Sequence, residues 1–170
     1  MTTESVAPET LHVWAICLQA SEEARRRGDR RYGTDHLLLA LFEDPSIEVV
    51  LGVSLQQTRQ ALEALDHEAL GALGLGSGTD APPLPMRAVP KKPRIRDVAQ
   101  KDRLRITPAA KKVLEDAVKP NRRKTQVTAQ QVLAQILILQ SPDPAAVLLG
   151  ALGVNTSEVR RRLDAVAPNS

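Results

Sequence analysis

Apolar positions recur along the chain at three- and four-residue intervals, in blocks that stop at glycine or proline and restart behind a capping residue. That period predicts amphipathic helices. Thr10, Val13, Ile16, Cys17, Ala20 and Ala24 trace one stripe of a first helix running to about Arg27, where Gly28 can stop it. Leu37, Leu38, Leu41 and Phe42 form the i, i+1, i+4, i+5 face of a second helix. The segment Leu51-Gly-Val-Ser54 ends a third helix and caps a fourth, which carries Leu55, Thr58 and Leu62.

The same series then returns. Leu152-Gly-Val-Asn155 repeats the glycine stop and cap, and the following Thr156, Val159, Arg160 and Leu163 correspond to Leu55, Thr58, Arg59 and Leu62. Tyr32-Gly-Thr-Asp-His-Leu-Leu-Leu-Ala-Leu-Phe42 lies over Val127-Thr-Ala-Gln-Gln-Val-Leu-Ala-Gln-Ile-Leu137 without a gap, with the apolar face kept. Thr107 and Pro108 open the counterpart of the first helix, continued by Ala110, Val113, Leu114 and Ala117 and ended by Pro120. Each unit reads as a long helix, a loop, a helix, a short helix and a helix. The first unit is about six residues shorter between Phe42 and Ile47 than the second between Leu137 and Leu148, which predicts a third helix of little more than one turn.

The fold class that follows is all-α: a pseudo-twofold bundle of two tandem four-helix repeats, about eight helices, at residues 8–70 and 105–167, packed as one domain. Between them, residues 71–104 include GLGSGTDAPPLP and VPKKPRIRD. Such a composition buries too little apolar area to offset its ordering entropy, so it reads as a flexible basic linker with a short helical piece near Ile95 to Lys101.

Composition sharpens this picture. Trp14, Tyr32 and Phe42 are the only aromatics among 42% hydrophobic residues, so the core is aliphatic. The single cysteine, Cys17, allows no internal disulfide and reads as a small core residue. No apolar run reaches membrane-spanning length, and MTTESVAPET lacks a signal-peptide pattern, so a soluble cytoplasmic protein is expected. The net charge of +3 is uneven: eight Lys or Arg stand against two Asp between Arg87 and Arg105, which leaves the rest of the chain slightly acidic.

Catalytic chemistry finds little support. Asp35 beside His36 invites an acid-base or metal reading, but His12 and His67 show no ligand spacing with it, and Gln131 stands at the second copy's equivalent of His36. His36 then reads as a first-turn hydrogen-bonding residue, with Gly33 or Thr34 as cap and Asp35 at the positive helix end. No serine sits in a G-x-S-x-G context, and no G-x-x-x-x-G-K-[ST] phosphate cradle occurs. No enzyme, metal, nucleotide or other cofactor is expected. The runs Arg25-Arg-Arg27 and Arg160-Arg-Arg162 sit near helix ends, where cations complement the dipole.

Glu22-Glu-Ala-Arg-Arg-Arg-Gly28 followed by Gly33-Thr-Asp-His-Leu-Leu-Leu-Ala-Leu-Phe42 resembles the EEARRLG…GTEHLLLALL signature of the N-terminal repeats of Clp ATPases of the ClpA and ClpC type. Ile106-Thr-Pro-Ala-Ala-Lys-Lys-Val-Leu114, Leu149-Gly-Ala-Leu-Gly-Val154 and Val159-Arg-Arg-Arg-Leu163 resemble the opening and closing stretches of that family's second repeat. The resemblance implies a compact eight-helix module that receives substrates and adaptor proteins for an AAA+ motor. Here the chain stops at Ser170, where that motor would begin, so a stand-alone module is expected.

The resemblance also implies a site. In members that recognise phosphorylated arginine, the acid of the GTEH motif meets the guanidinium and the phosphate lies near the capped start of a first helix. Those roles fall to Asp35 and Thr10 in the first unit, and to Gln130 and Thr107 in the second. Gln130 cannot form an ion pair, which forfeits roughly 1.5–3 kcal/mol and makes the second site the degenerate one. The expected function is non-catalytic protein binding in Clp-dependent quality control and proteolysis. Expected partners are substrates, adaptors or Clp subunits, without nucleotide or membrane, for a monomer or a dimer that exchanges units. The alternative is a regulatory nucleic-acid binder that contacts phosphates through Lys91, Lys92, Arg94 and Arg96, although these lack interleaved aromatics.

Overall fold

A computed structural model of the chain describes residues 10–74, 104–119 and 126–166. The first unit contains β1 (Thr10–His12), α1 (Val13–Arg27), β2 (Arg31–Tyr32), α2 (Thr34–Ala40) with a 3-10 turn at Leu41–Glu43, α3 (Pro45–Leu51) and α4 (Leu55–Ala72). The second contains β3 (Arg105–Ile106), α5 (Pro108–Val118), β4 (Gln126–Thr128), α6 (Ala129–Ile136), α7 (Pro144–Ala151) and α8 (Thr156–Val166). The all-α reading holds, with eight α-helices among the described residues. The cationic stretch with Lys91, Lys92, Arg94 and Arg96, and the short helix expected near Ile95, lie outside the described residues.

Local sequence accounts for the helix ends. Ser54 and Gln57 form a reciprocal capping box at α4, Ser54 Oγ accepting from the Gln57 amide and Gln57 Oε1 from the Ser54 amide. Thr128 and Gln131 do the same at α6. Thr107 caps α5 with Pro108 at the first helical position. Gly52 ends α3 at φ 72° and Gly153 follows α7 at φ 67°, the left-handed conformation that a β-carbon disfavours.

The third helices depart from expectation. α3 has 7 residues against 8 for α7, about two turns rather than a stub. Most of the six-residue deficit falls in the connection instead. Only Glu43 separates Phe42 from the α3 cap Asp44, whereas Ile138 to Pro142 separate Leu137 from the α7 cap Asp143. Both caps are followed by proline, so each helix restarts on the same Asp-Pro signal.

One apolar cluster runs through both units. Its centre is α2, where every residue from Thr34 to Ala40 is buried. A helix apolar on all sides must be covered on all sides. α2 meets α1 and α4 from its own unit and α5, α6 and α7 from the other. Full burial of Leu37, Leu38 and Leu41 contributes about 1.5–3 kcal/mol each.

Two short ribbons, absent from the sequence expectations, tie the units crosswise. β1 pairs antiparallel with β4, Thr10 opposite Thr128, and β2 pairs parallel with β3, Tyr32 opposite Ile106. The segment ahead of each unit's first helix therefore pairs with the segment ahead of the other unit's second helix. Pairings of two or three residues are too short to leave a period in the sequence.

Candidate functional site

The start of α2 sits where the units meet. Gly33 is its N-cap, in extended backbone, and a β-carbon there would stand 2.6 Å from Asp35 Oδ1. Glycine thus lets the Asp35 carboxylate fold back over the helix start. The amide of Thr107 donates to the Tyr32 carbonyl at 3.0 Å, which brings the cap of α5 beside the same turn.

Asp35 is buried and fully engaged. Arg27 Nη1 donates to its Oδ2 at 3.1 Å, and His36 Nδ1 lies 3.0 Å from its Oδ1. Burial on its own would raise the Asp35 carboxyl, but His36 and Arg27 outweigh it and hold the group below the usual carboxylate range. Arg27 also donates through Nη2 to Asp66 of α4 at 2.5 Å and lies 3.6 Å from Asp29. One guanidinium is thereby shared among three carboxylates from three segments.

His36 has the structural role expected of it. Its Nδ1 lies 3.2 Å from the Gly33 amide and its Nε2 3.0 Å from Asp29 Oδ2. The bare Nδ1 takes the Gly33 N–H, and a protonated Nδ1 donates to Asp35. Gln131 makes the equivalent bond to the Thr128 amide in the second unit. Among the described residues no group of His, Cys, Asp and Glu is placed to hold a metal ion.

These residues line a cleft of about 400 Å³ whose walls come from both units: Arg31, Asp35 and Asp66 on one side, Thr107, Pro144 and Val147 on the other. The structure brings together a different pair from the one the resemblance implies. Asp35 lines the same cleft as Thr107, the cap of the other unit's first helix. Thr10 is not at a helix cap at all; it lies on β1, three residues before α1, opposite Thr128 at the start of α6. By the same crossing, Gln130 belongs with the Thr10 side, where its Nε2 donates to Ser46 of α3 at 3.5 Å. Because the ribbons cross, the cleft is lined by residues of both units.

The arginine runs are accounted for by contacts within the fold. Arg59 and Glu23 form a two-bond ion pair between α4 and α1. Arg160 donates to the Leu137 carbonyl at 2.6 Å and Arg162 to the Val50 carbonyl at 3.3 Å, so α8 supplies cations to the C-terminal ends of α6 and α3. Arg25 pairs with Glu22.

The sequence pattern of the Clp repeat (R) N-terminal domain matches residues 9–137. The chain belongs to this family. Clp repeat domains are non-catalytic protein-interaction modules, so a protein-binding role is the one the family supports. The matched span contains Asp35, Thr107 and the ribbons between the units. The fold is similar to that of the N-terminal domain of the caseinolytic protease associated chaperone ClpD from Arabidopsis thaliana, at 18% identity and TM-score 0.56 over 96% of this chain and 99% of that one. No curated protein sequence matches the chain. Among the described residues no helix is long and apolar enough to cross a membrane.

Sequence reasoning missed Arg27, Asp29 and Asp66. Arg27 was visible as the position where the Clp repeat signature EEARRLG has leucine. Asp66 comes from α4, 39 residues away, and no local pattern marks it.

Proposed function

We propose that this Clp repeat chain binds protein partners by receiving an arginine side chain in the cleft between its units, phosphorylated on the guanidinium as the family resemblance implies. Asp35 faces the guanidinium. Thr107, the positive N-terminal end of α5 and Arg31 face the phosphate. The observation that carries this reading is the convergence of Asp35 and Thr107, from different units, on one cleft. Gln130 has no such acid to offer, so one site operates rather than two.

The wider role is in Clp-dependent quality control in the cytoplasm, the module either delivering clients or adaptors to a Clp machine or withholding them from one. The test is direct. A peptide carrying one phosphoarginine, titrated calorimetrically into the protein, binds with one-to-one stoichiometry, and Asp35→Asn weakens it by roughly tenfold or more, the loss of one charge-assisted bond. Equal binding by Asp35→Asn would refute the site. Affinity capture from lysate that returns no Clp subunit, adaptor or unfolded client would refute the wider role.

A further inference from the structure

We infer that Arg27 is a built-in occupant of the cleft's acidic end, and that it sets specificity by obliging any incoming guanidinium to displace it. This inference rests on the reading of the cleft as an arginine-receiving site.

Three observations carry it. The first is the chemistry of the contact: the group that Asp35, Asp66 and Asp29 hold is a guanidinium, bonded to Asp35 at 3.1 Å and Asp66 at 2.5 Å. A guanidinium of the chain's own thus already sits on the carboxylates that line the cleft. Counting Arg31, which also lines the cleft, two cations stand against three carboxylates, which leaves an excess of one negative charge.

The second is room to move. Arg27 and Asp66 line the cleft between the units and also a second cleft of about 530 Å³ between α1 and α4. Arg27 therefore stands in the wall between two openings. Its guanidinium can leave Asp35 and turn into the α1–α4 cleft, which Glu63 also lines and where Glu23 is held by Arg59, without letting go of Asp66. Of its three partners only Asp35 is nearly buried, at 10% side-chain exposure; Asp29 and Asp66 are at 42% and 53%. The contact to Asp66 is solvent-screened but the shorter of the two and can persist as a tether, and the contact to Asp35 is the one an incoming ligand replaces like for like.

The third is the sequence. The Clp repeat signature that the chain resembles has leucine where this chain has Arg27.

The consequence is discrimination. A plain arginine offers Asp35 only what Arg27 already provides, at the entropic disadvantage of coming from solution. A phosphorylated arginine adds contacts to Thr107 and Arg31 that Arg27 cannot make, and these drive the exchange. When the open state is a minority of some 0.1–10%, apparent affinity is reduced by that fraction, so removing Arg27 raises affinity at least about tenfold.

The experiment titrates a synthetic peptide with a single arginine, plain and guanidinium-phosphorylated, into the wild-type chain and into Arg27→Leu. Leucine is the signature residue at this position, favours the helix and removes the guanidinium. The expected result is tighter binding of both peptides to Arg27→Leu, with plain arginine becoming measurable where the wild type barely binds it. Peptide binding that is equal in the two proteins overturns the occupant while leaving the binding site intact; no binding by either overturns both. Should Arg27→Leu fail to fold, nitrogen-15 NMR of the wild type decides. The Arg27 side-chain resonances move and exchange faster as phosphorylated peptide saturates the protein, and resonances unmoved at saturation overturn the inference.

Discussion

Thr34 gives the most exacting test of how the units are joined. It is 1% exposed, its hydroxyl donates to Asp143 Oδ1 at 2.7 Å, and it accepts weakly from the Ala145 amide at 3.4 Å. It therefore fastens the first turn of α2 to the cap of α7 across the pseudo-twofold. Thr34→Val keeps shape and removes the hydroxyl. A hydrogen bond to a charged group contributes about 1.5–3 kcal/mol, and Asp143 is partly open to water, which replaces some of what is lost. The Ala145 amide keeps its 3.0 Å bond to Asp143. The expected loss is about 1–2 kcal/mol, or about 2–8 °C in Tm for a chain of this length. Urea unfolding should show a lower midpoint with an unchanged slope. Because Asp143→Ala also removes a helix cap, the pairwise part must come from a double-mutant cycle, with an expected coupling of about 1 kcal/mol. A cycle that closes within about 0.3 kcal/mol, the ordinary error of additivity, would show that this contact does not join the units.

Other outcomes follow from the same structure. Ala129 stands where Thr34 stands in the first unit, and the counterpart acid Asp44 has a buried Oδ2 with no hydrogen-bond partner. Ala129→Ser should supply the missing donor and raise the urea midpoint by about 0.5–1.5 kcal/mol equivalent, and a lowered midpoint would contradict the pseudo-symmetry argument. Leu38→Ala, at a fully buried position of the central helix, should cost about 2–5 kcal/mol in the same assay. Asp35 has a depressed carboxyl in the folded state, so its stabilising contribution is complete above the unfolded carboxylate value near about 4 and disappears as pH falls through the folded value. The stability gap between wild type and Asp35→Asn should accordingly be widest near neutrality and close in acid, and a gap that widens in acid would reverse the assignment.

The helices were legible from local code, much of it written twice: the Thr107-Pro108 start, the Ser54 and Asn155 caps, the Gly52 and Gly153 stops, and the i, i+1, i+4, i+5 face shared by Leu37 to Phe42 and Val132 to Leu137. The length deficit of the first unit was legible, but its placement was not. Aligning apolar faces alone assigned it to α3, whereas the Asp-Pro pairs locate most of it in the preceding connection. Asp35 and Thr107 were each expected at a ligand site, paired with Thr10 and Gln130 respectively, whereas the structure places the two of them on one cleft. Which unit's cap meets which unit's acid depends on the crossed ribbons, and no residue within either unit encodes that crossing. Arg27 illustrates the remaining limit. On a helix wheel it is one more basic residue in a final turn, and only the approach of Asp66 from α4 reveals what it holds.

The crossed site is the central claim, and one binding comparison tests it most directly. Thr10→Ala, Thr107→Ala and Asp35→Asn are each titrated with the phosphoarginine peptide, in the wild-type and Arg27→Leu backgrounds. The account predicts that Asp35→Asn and Thr107→Ala weaken binding while Thr10→Ala leaves it unchanged. Weakening by Thr10→Ala together with unaltered binding by Thr107→Ala would return the site to a single unit and contradict the account.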